Sequence, residues 1–153
     1  MKEDTIVAVS TAPGEAGIAV IRLAGPDAVR LADQVFRGRK PLGASPPRFM
    51  RYGHVVDSRE EVVDEALAVR FEAPKTYTGS EMAEIHCHGG SVSARRVLEM
   101  LSEMGARLAE PGEFTRRAFL NGRLDLAQAE SVLGVIRARS DRALSSAARS
   151  LGG

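Results

Sequence analysis

Cysteine is almost missing from this sequence. Cys87 stands alone among 153 residues, which rules out an internal disulfide and fits a reducing, intracellular compartment. Lysine is nearly as scarce. Lys2, Lys40 and Lys75 are the only three, and none follows a glycine, so a phosphate loop of the form G-x-x-x-x-G-K-[ST] is excluded. No run approaches the ~20 apolar residues of a membrane span, and the opening MKEDTIVAVSTAPG is interrupted by Pro13 too early to serve as the apolar stretch of a signal peptide. A net charge of +1 supplies no general field for nucleic acid, although arginine gathers late in the chain at Arg116, Arg117, Arg123, Arg137, Arg139 and Arg142. On a helix those arginines read as a solvated polar face. Together these absences predict a cytoplasmic protein with no membrane segment.

With 44% hydrophobic and 27% charged residues, the chain has enough apolar surface for one substantial core and an appended element. TIVAVST and GIAVIRLAG read as two strands joined by the turn APGEAG, the second apolar on both faces and hence central. PDAVRLADQVF places Ala28, Leu31, Ala32 and Val35 at helical spacing, with proline at the first turn. FMRYGHVVD and EVVDEALAVRFEA alternate as a hairpin, TYTGSEMAEIHCHGG gives a turn and a strand, and SVSARRVLEMLSEMG a helix capped by Ser91 and ended by Gly105. TRRAFLNG is a helix stopped at Asn121-Gly122. Asp125 and Gln128 form a capping box opening one long helix, whose stripe runs from Leu126 through Leu133, Ile136 and Leu144 to Leu151. The fold class is α+β. So long an amphipathic helix needs a surface to pack on, and the expectation is a front piece of a larger protein.

EIHCHGG, residues 84–90, raises the question of a metal. Alternation along a strand puts Glu84, His86 and His88 on one side and Ile85 and Cys87 on the other. A metal site wants a converging shell of ligands with supporting partners, and one strand with His54 in a different hairpin does not provide it. No metal and no catalytic residue is therefore assigned. Cys87 reads as a small buried hydrophobe. Arg22, in AVIRLAG, and Glu84 are charges in strands expected to be mostly buried, where an unpaired charge costs several kcal/mol. Two readings stand: they pair internally, or they line a cavity and meet a polar ligand.

Three segments, DTIVAVSTAPGEAGIAVIRLAGPDA, TYTGSEMAEIHCHGGSV and AEPGEFTRRAFLNGRLDLAQAES, together resemble the N-terminal part of the tRNA modification GTPases of the MnmE (TrmE) family. The resemblance runs from Asp4 to about Gly153, broken mainly between Arg37 and Arg51. It implies a folate-binding and dimerisation domain over residues 1–120, similar to the tetrahydrofolate-binding domain of aminomethyltransferases, and the start of a helical domain over 121–153. A GTPase domain using GTP, potassium and magnesium would lie outside this chain. The family acts on the wobble uridine of tRNA with the flavoprotein MnmG, adding an aminomethyl-type group at C5 with a one-carbon unit from a folate.

By the same resemblance the folate-binding positions are Arg22, Glu84 and Arg123, and the ligand is 5-formyltetrahydrofolate or a related reduced folate. A pterin presents an N–H and an amino group side by side, which one carboxylate accepts together, the part Glu84 would take. Arg123 stands where other members carry lysine, which keeps the charge but changes its geometry. EIHCHGG then reads as a pocket wall. The alternative is a stand-alone folate-dependent enzyme of the aminomethyltransferase kind, against which LNGRLDLAQAE argues.

Overall fold

The computed structural model describes residues 3–153; Met1 and Lys2, part of the opening stretch, lie outside them. Among the described residues seven strands form one sheet: β1 (Ile6–Val9), β2 (Ala19–Ala24), β3 (Phe36–Gly38), β4 (Arg51–Val56), β5 (Val62–Phe71), β6 (Met82–Cys87) and β7 (Arg107–Leu108), in the order β3-β4-β5-β6-β2-β1-β7. All neighbouring pairs are antiparallel except β1 and β7. The expected β1–β2 hairpin and β4–β5 hairpin are present, and β2 sits inside the sheet between β1 and β6. The short edge pieces β3 and β7 carry too few residues for an alternation pattern and have no counterpart in the sequence reading.

Among the described residues there are five α-helices: α1 (Ala28–Val35), α2 (Ser91–Glu103), α3 (Glu113–Leu120), α4 (Leu126–Arg137) and α5 (Asp141–Leu151). By its contacts the chain divides into two compact units. The first runs to Thr76 and resumes over Ser80–Ala109, holding the sheet with α1 and α2. The second comprises Tyr77–Gly79 and Glu110–Gly153.

In the first unit one face of the sheet carries the core. Alternation sends Ala19, Ile21 and Leu23 of β2 and Ala83, Ile85 and Cys87 of β6 to the same side, where they join Leu31 and Val35 of α1 and Val97 and Leu101 of α2. The four helical positions expected for α1, Ala28, Leu31, Ala32 and Val35, are its buried residues. Pro26 lies just outside the helix, with Asp27 at the N-cap position. At α2 the cap position belongs to Gly90 and Ser91 is the first helical residue, so the helix starts one place earlier than a cap at Ser91 would have it. Gly105 turns the chain out of α2 at φ 114°. The face opposite the core carries Arg22, Glu84 and His86, with Leu67 and Val69 from β5.

In the second unit α3 ends as the sequence requires, with Asn121 at the C-cap and Gly122 left-handed at φ 76°, a conformation glycine adopts without the Cβ penalty. Asp125 and Gln128 do form a capping box. The single long helix expected from Asp125 onward is corrected: α4 stops at Arg137, Ala138 is extended, and Ser140 starts α5 by accepting a hydrogen bond from Ala143 N–H. The two helices then pack on each other. Gly134 lies so close to α5 that a Cβ there would be 3.2 Å from Ala147 Cβ, and Gln128 Nε2 donates to the Leu151 carbonyl at 3.2 Å. The apolar stripe is thereby partly used within the second unit, although Leu126, Leu133, Ile136 and Leu144 stay exposed.

The turn from β6 into α2 depends on Gly89, whose Cβ, if it had one, would lie 2.2 Å from the Ala16 carbonyl oxygen. Backbone cannot yield as a side-chain tip does. Gly89→Ala should therefore cost about 1–3 kcal/mol, with a lower urea midpoint at unchanged m-value as the readout.

Candidate functional site

The charged residues that the sequence singles out in buried strands meet across the middle of the sheet. Antiparallel pairing sets Arg22 of β2 directly opposite Glu84 of β6. Arg22 Nε donates to Glu84 Oε2 at 3.2 Å, with the two side chains 27% and 14% exposed. Two residues further along the same strand face, His86 Nε2 lies 2.9 Å from Glu84 Oε1. Each carboxylate oxygen thus takes one of these bonds, and each retains a second lone pair for another donor.

Glu84 titrates below the ordinary carboxylate range although burial acts the other way. Burial raises its pKa, but the His86 hydrogen bond and the Arg22 charge together outweigh it. The carboxylate is therefore ionised at neutral pH and acts as an acceptor. A guanidinium, a carboxylate and an imidazole along one sheet face fit an uncharged heterocycle that offers adjacent N–H groups.

His88 does not continue this row. The strand ends at Cys87, the alternation lapses, and His88 Nδ1 turns to Asp64 Oδ1 at 2.7 Å, while its backbone N–H donates to Asp64 Oδ2 at 2.9 Å. Ser93 Oγ donates to the same carboxylate oxygen at 2.7 Å. The expected common surface of Glu84, His86 and His88 is thus corrected to two separate pairs, Glu84–His86 and Asp64–His88. Among the described residues no group of three or more His, Cys, Asp or Glu side chains is arranged to hold a metal ion. Cys87 is buried on the core side, and desolvation raises its thiol pKa.

Arg123, the third residue implied by the resemblance, belongs to the second unit. It is exposed there, with its guanidinium carbon 5.1 Å from the centre of the Tyr77 ring. Around it TYTG and the α3 segment interlock. Tyr77 Oη and Thr115 Oγ1 are 2.7 Å apart, and Asn121 Nδ2 donates to the Thr78 carbonyl at 2.7 Å. The sequence assigns Tyr77 no role and Asn121 only that of ending α3; for Tyr77 the one signal is membership of a resembling segment.

Arg117 departs from the solvated face expected of the arginine cluster. It is 6% exposed and reaches Glu113, 2% exposed, at 3.4 Å; Glu113 Oε1 also accepts the Glu110 N–H at 2.9 Å. The i, i+4 spacing of a carboxylate and a guanidinium was the available sign.

The sign of the Glu84 shift fixes a pH dependence. A carboxyl group whose folded pKa is depressed contributes stability that is present above its unfolded value, near 4.3, and is lost as pH falls through the lower folded value. Wild-type urea unfolding between neutral pH and this acid range should lose stability more steeply than Glu84→Gln. Equal pH slopes in the two proteins would contradict the assignment.

Comparison with known proteins follows the same residues. The family described as GTP-binding protein TrmE N-terminus matches residues 5–123, taking in Arg22, Glu84, His86, His88 and Arg123. The chain is 51% identical to the tRNA modification GTPase MnmE of Symbiobacterium thermophilum over 155 aligned positions, covering 100% of this chain and 34% of that protein. It is 50% identical to the proteins of the same description from Shouchella clausii and Listeria welshimeri, again over 100% of this chain and 34% and 33% of theirs. The chain thus spans about a third of the length of these relatives. No helix among the described residues is long and apolar enough to cross a membrane. With a matching family over most of its length and half of its residues shared with these proteins, the chain belongs to the TrmE (MnmE) N-terminal family.

Proposed function

We propose that this chain is the folate-binding and dimerisation part of a tRNA modification GTPase. Residues 1–120 would form a domain like the tetrahydrofolate-binding domain of aminomethyltransferases, and residues 121–153 the opening of a helical domain. Its ligand is 5-formyltetrahydrofolate or a related reduced folate, held by Arg22, Glu84 and Arg123. The observation that carries this reading is the ionised, largely buried Glu84 carboxylate, fixed from two sides by Arg22 and His86, with both oxygens able to accept once more. Such a group matches the paired N–H and amino donors of a pterin, which approach one carboxylate as a two-pronged partner.

Arg22 holds Glu84 charged and in place, and Arg123 on Tyr77 offers a cation over an aromatic ring for the polar or acidic part of the ligand. The whole protein would act in the cytoplasm as a homodimer on the wobble uridine of tRNA, together with the flavoprotein MnmG. GTP, potassium and magnesium would serve the GTPase domain outside this chain. The names of the relatives support the tRNA and GTPase parts of this reading.

Isothermal titration with 5-formyltetrahydrofolate tests the site. Glu84→Gln keeps the size but replaces half of the acceptor with a donor, and should weaken binding by about 1.5–3 kcal/mol, roughly ten- to a hundredfold. Arg22→Ala should weaken it comparably, and Arg123→Ala less, because its guanidinium is exposed. Absence of binding by the wild-type dimer, or wild-type affinity in Glu84→Gln, would leave Arg22 and Glu84 as an internal ion pair only.

A further inference from the structure

We propose that His88, oriented by Asp64, is a proton-transfer residue. Its Nε2 would take a proton from, and return it to, an N–H group of a small nitrogen compound bound in the adjoining cavity. The chemistry begins with a surface histidine held more tightly than a solvated one needs to be. The His88 side chain is 62% exposed, yet its ring and its backbone N–H are both bound to the Asp64 carboxylate, itself only 13% exposed and further fixed by Ser93 Oγ. An ionised carboxylate only accepts, so Nδ1 carries the proton and the neutral ring presents Nε2 as a base. No described residue hydrogen-bonds Nε2.

A cavity of about 260 Å³ that His88 helps to line has apolar walls from Ile18 and Leu67, an aromatic one from Tyr52, and polar residues Glu65 and His86. Glu65 is in turn fixed by the Tyr52 hydroxyl at 2.9 Å. Through His86 the cavity adjoins Glu84, since one ring nitrogen of His86 lies 2.9 Å from that carboxylate. The charges facing His88 are Asp64, whose hydrogen bond and attraction are the main causes of its raised pKa, and Glu65, whose attraction is the weakest contribution; burial opposes them by less than Asp64 supplies. A base raised above its ordinary value holds an accepted proton more firmly, which suits a group that takes a proton and returns it. The Glu65 carboxylate in the cavity wall also favours a ligand that arrives protonated.

The inference rests on the folate reading for its place beside Glu84, so its test separates the two. Full-length protein carrying this chain is assayed with its flavoprotein partner for folate-dependent wobble-uridine modification across pH, and separately for folate affinity. His88→Gln should lower the rate about a hundredfold, within the usual range for a lost general acid–base group, with folate affinity unchanged. Wild-type rate should show an inflection above the ordinary histidine value, and Asp64→Asn should move it to lower pH.

A histidine that only clamps the turn would instead lose folate affinity and thermal stability together and leave the inflection in place, which overturns the inference. So would a wild-type rate in His88→Gln. Should wild type bind no folate, the folate reading fails by itself, and the nitrogen-15 spectrum of the chain decides for His88. A neutral ring protonated at Nδ1, with a raised pKa that drops in Asp64→Asn and resonances that shift on adding methylammonium chloride, supports the site. Titration like an ordinary exposed histidine, or no response to methylammonium, overturns it.

Discussion

The Arg22–Glu84 contact is the constraint around which the rest of this fold is arranged. It joins two inner strands, β2 and β6, by their side chains as well as by their backbone ladder. Energetically it is an odd choice. Apolar residues of similar volume usually serve a sheet interior as well as an ion pair does, because desolvation cancels much of the attraction, whereas losing one partner alone leaves an uncompensated charge. A pair of this kind adds little to stability and is costly to break in half. Its retention is easier to understand if the carboxylate has work to do, and the His86 bond on its other oxygen is what would keep it ionised and aimed.

That geometry follows from period-two patterning. β6 reads Met-Ala-Glu-Ile-His-Cys, and with Ala83, Ile85 and Cys87 turned to α1 and α2, Glu84 and His86 have no option but the opposite face. β2 repeats the logic with Ile21 and Leu23 inward and Arg22 outward. A shift of one residue in either strand would turn that strand's own charge into the apolar core, so the register is strongly specified. The same packing that makes the core therefore delivers the site.

How much of this was legible in the sequence differed by element. The inner strands, α1 and the capping box at Asp125 carry strong local signals, and each forms where those signals put it. The break between α4 and α5 escaped because the apolar stripe keeps its phase across it: Ile136 and Ala143 are seven residues apart, about two helical turns, so periodicity alone cannot register the interruption. The signal lay in Ser140 followed by Asp141, a helix start in the middle of an apparent helix. His88 was misplaced for a related reason, since alternation holds only while the strand lasts and β6 ends one residue earlier. Its partner Asp64 is 24 positions away in sequence, and no local pattern relates them. The buried Glu113–Arg117 pair shows the limit of reading arginines as solvated by default.

The central claim is that the Glu84 carboxylate is a prepared acceptor and not merely half of an ion pair. A crystal structure of the chain grown with 5-formyltetrahydrofolate tests it most directly. The account predicts the pterin edge on Glu84, with two N–H donors at hydrogen-bond distance from Oε1 and Oε2 and Arg22 still alongside. A folate bound elsewhere, with Glu84 engaged only by Arg22 and His86, would contradict it.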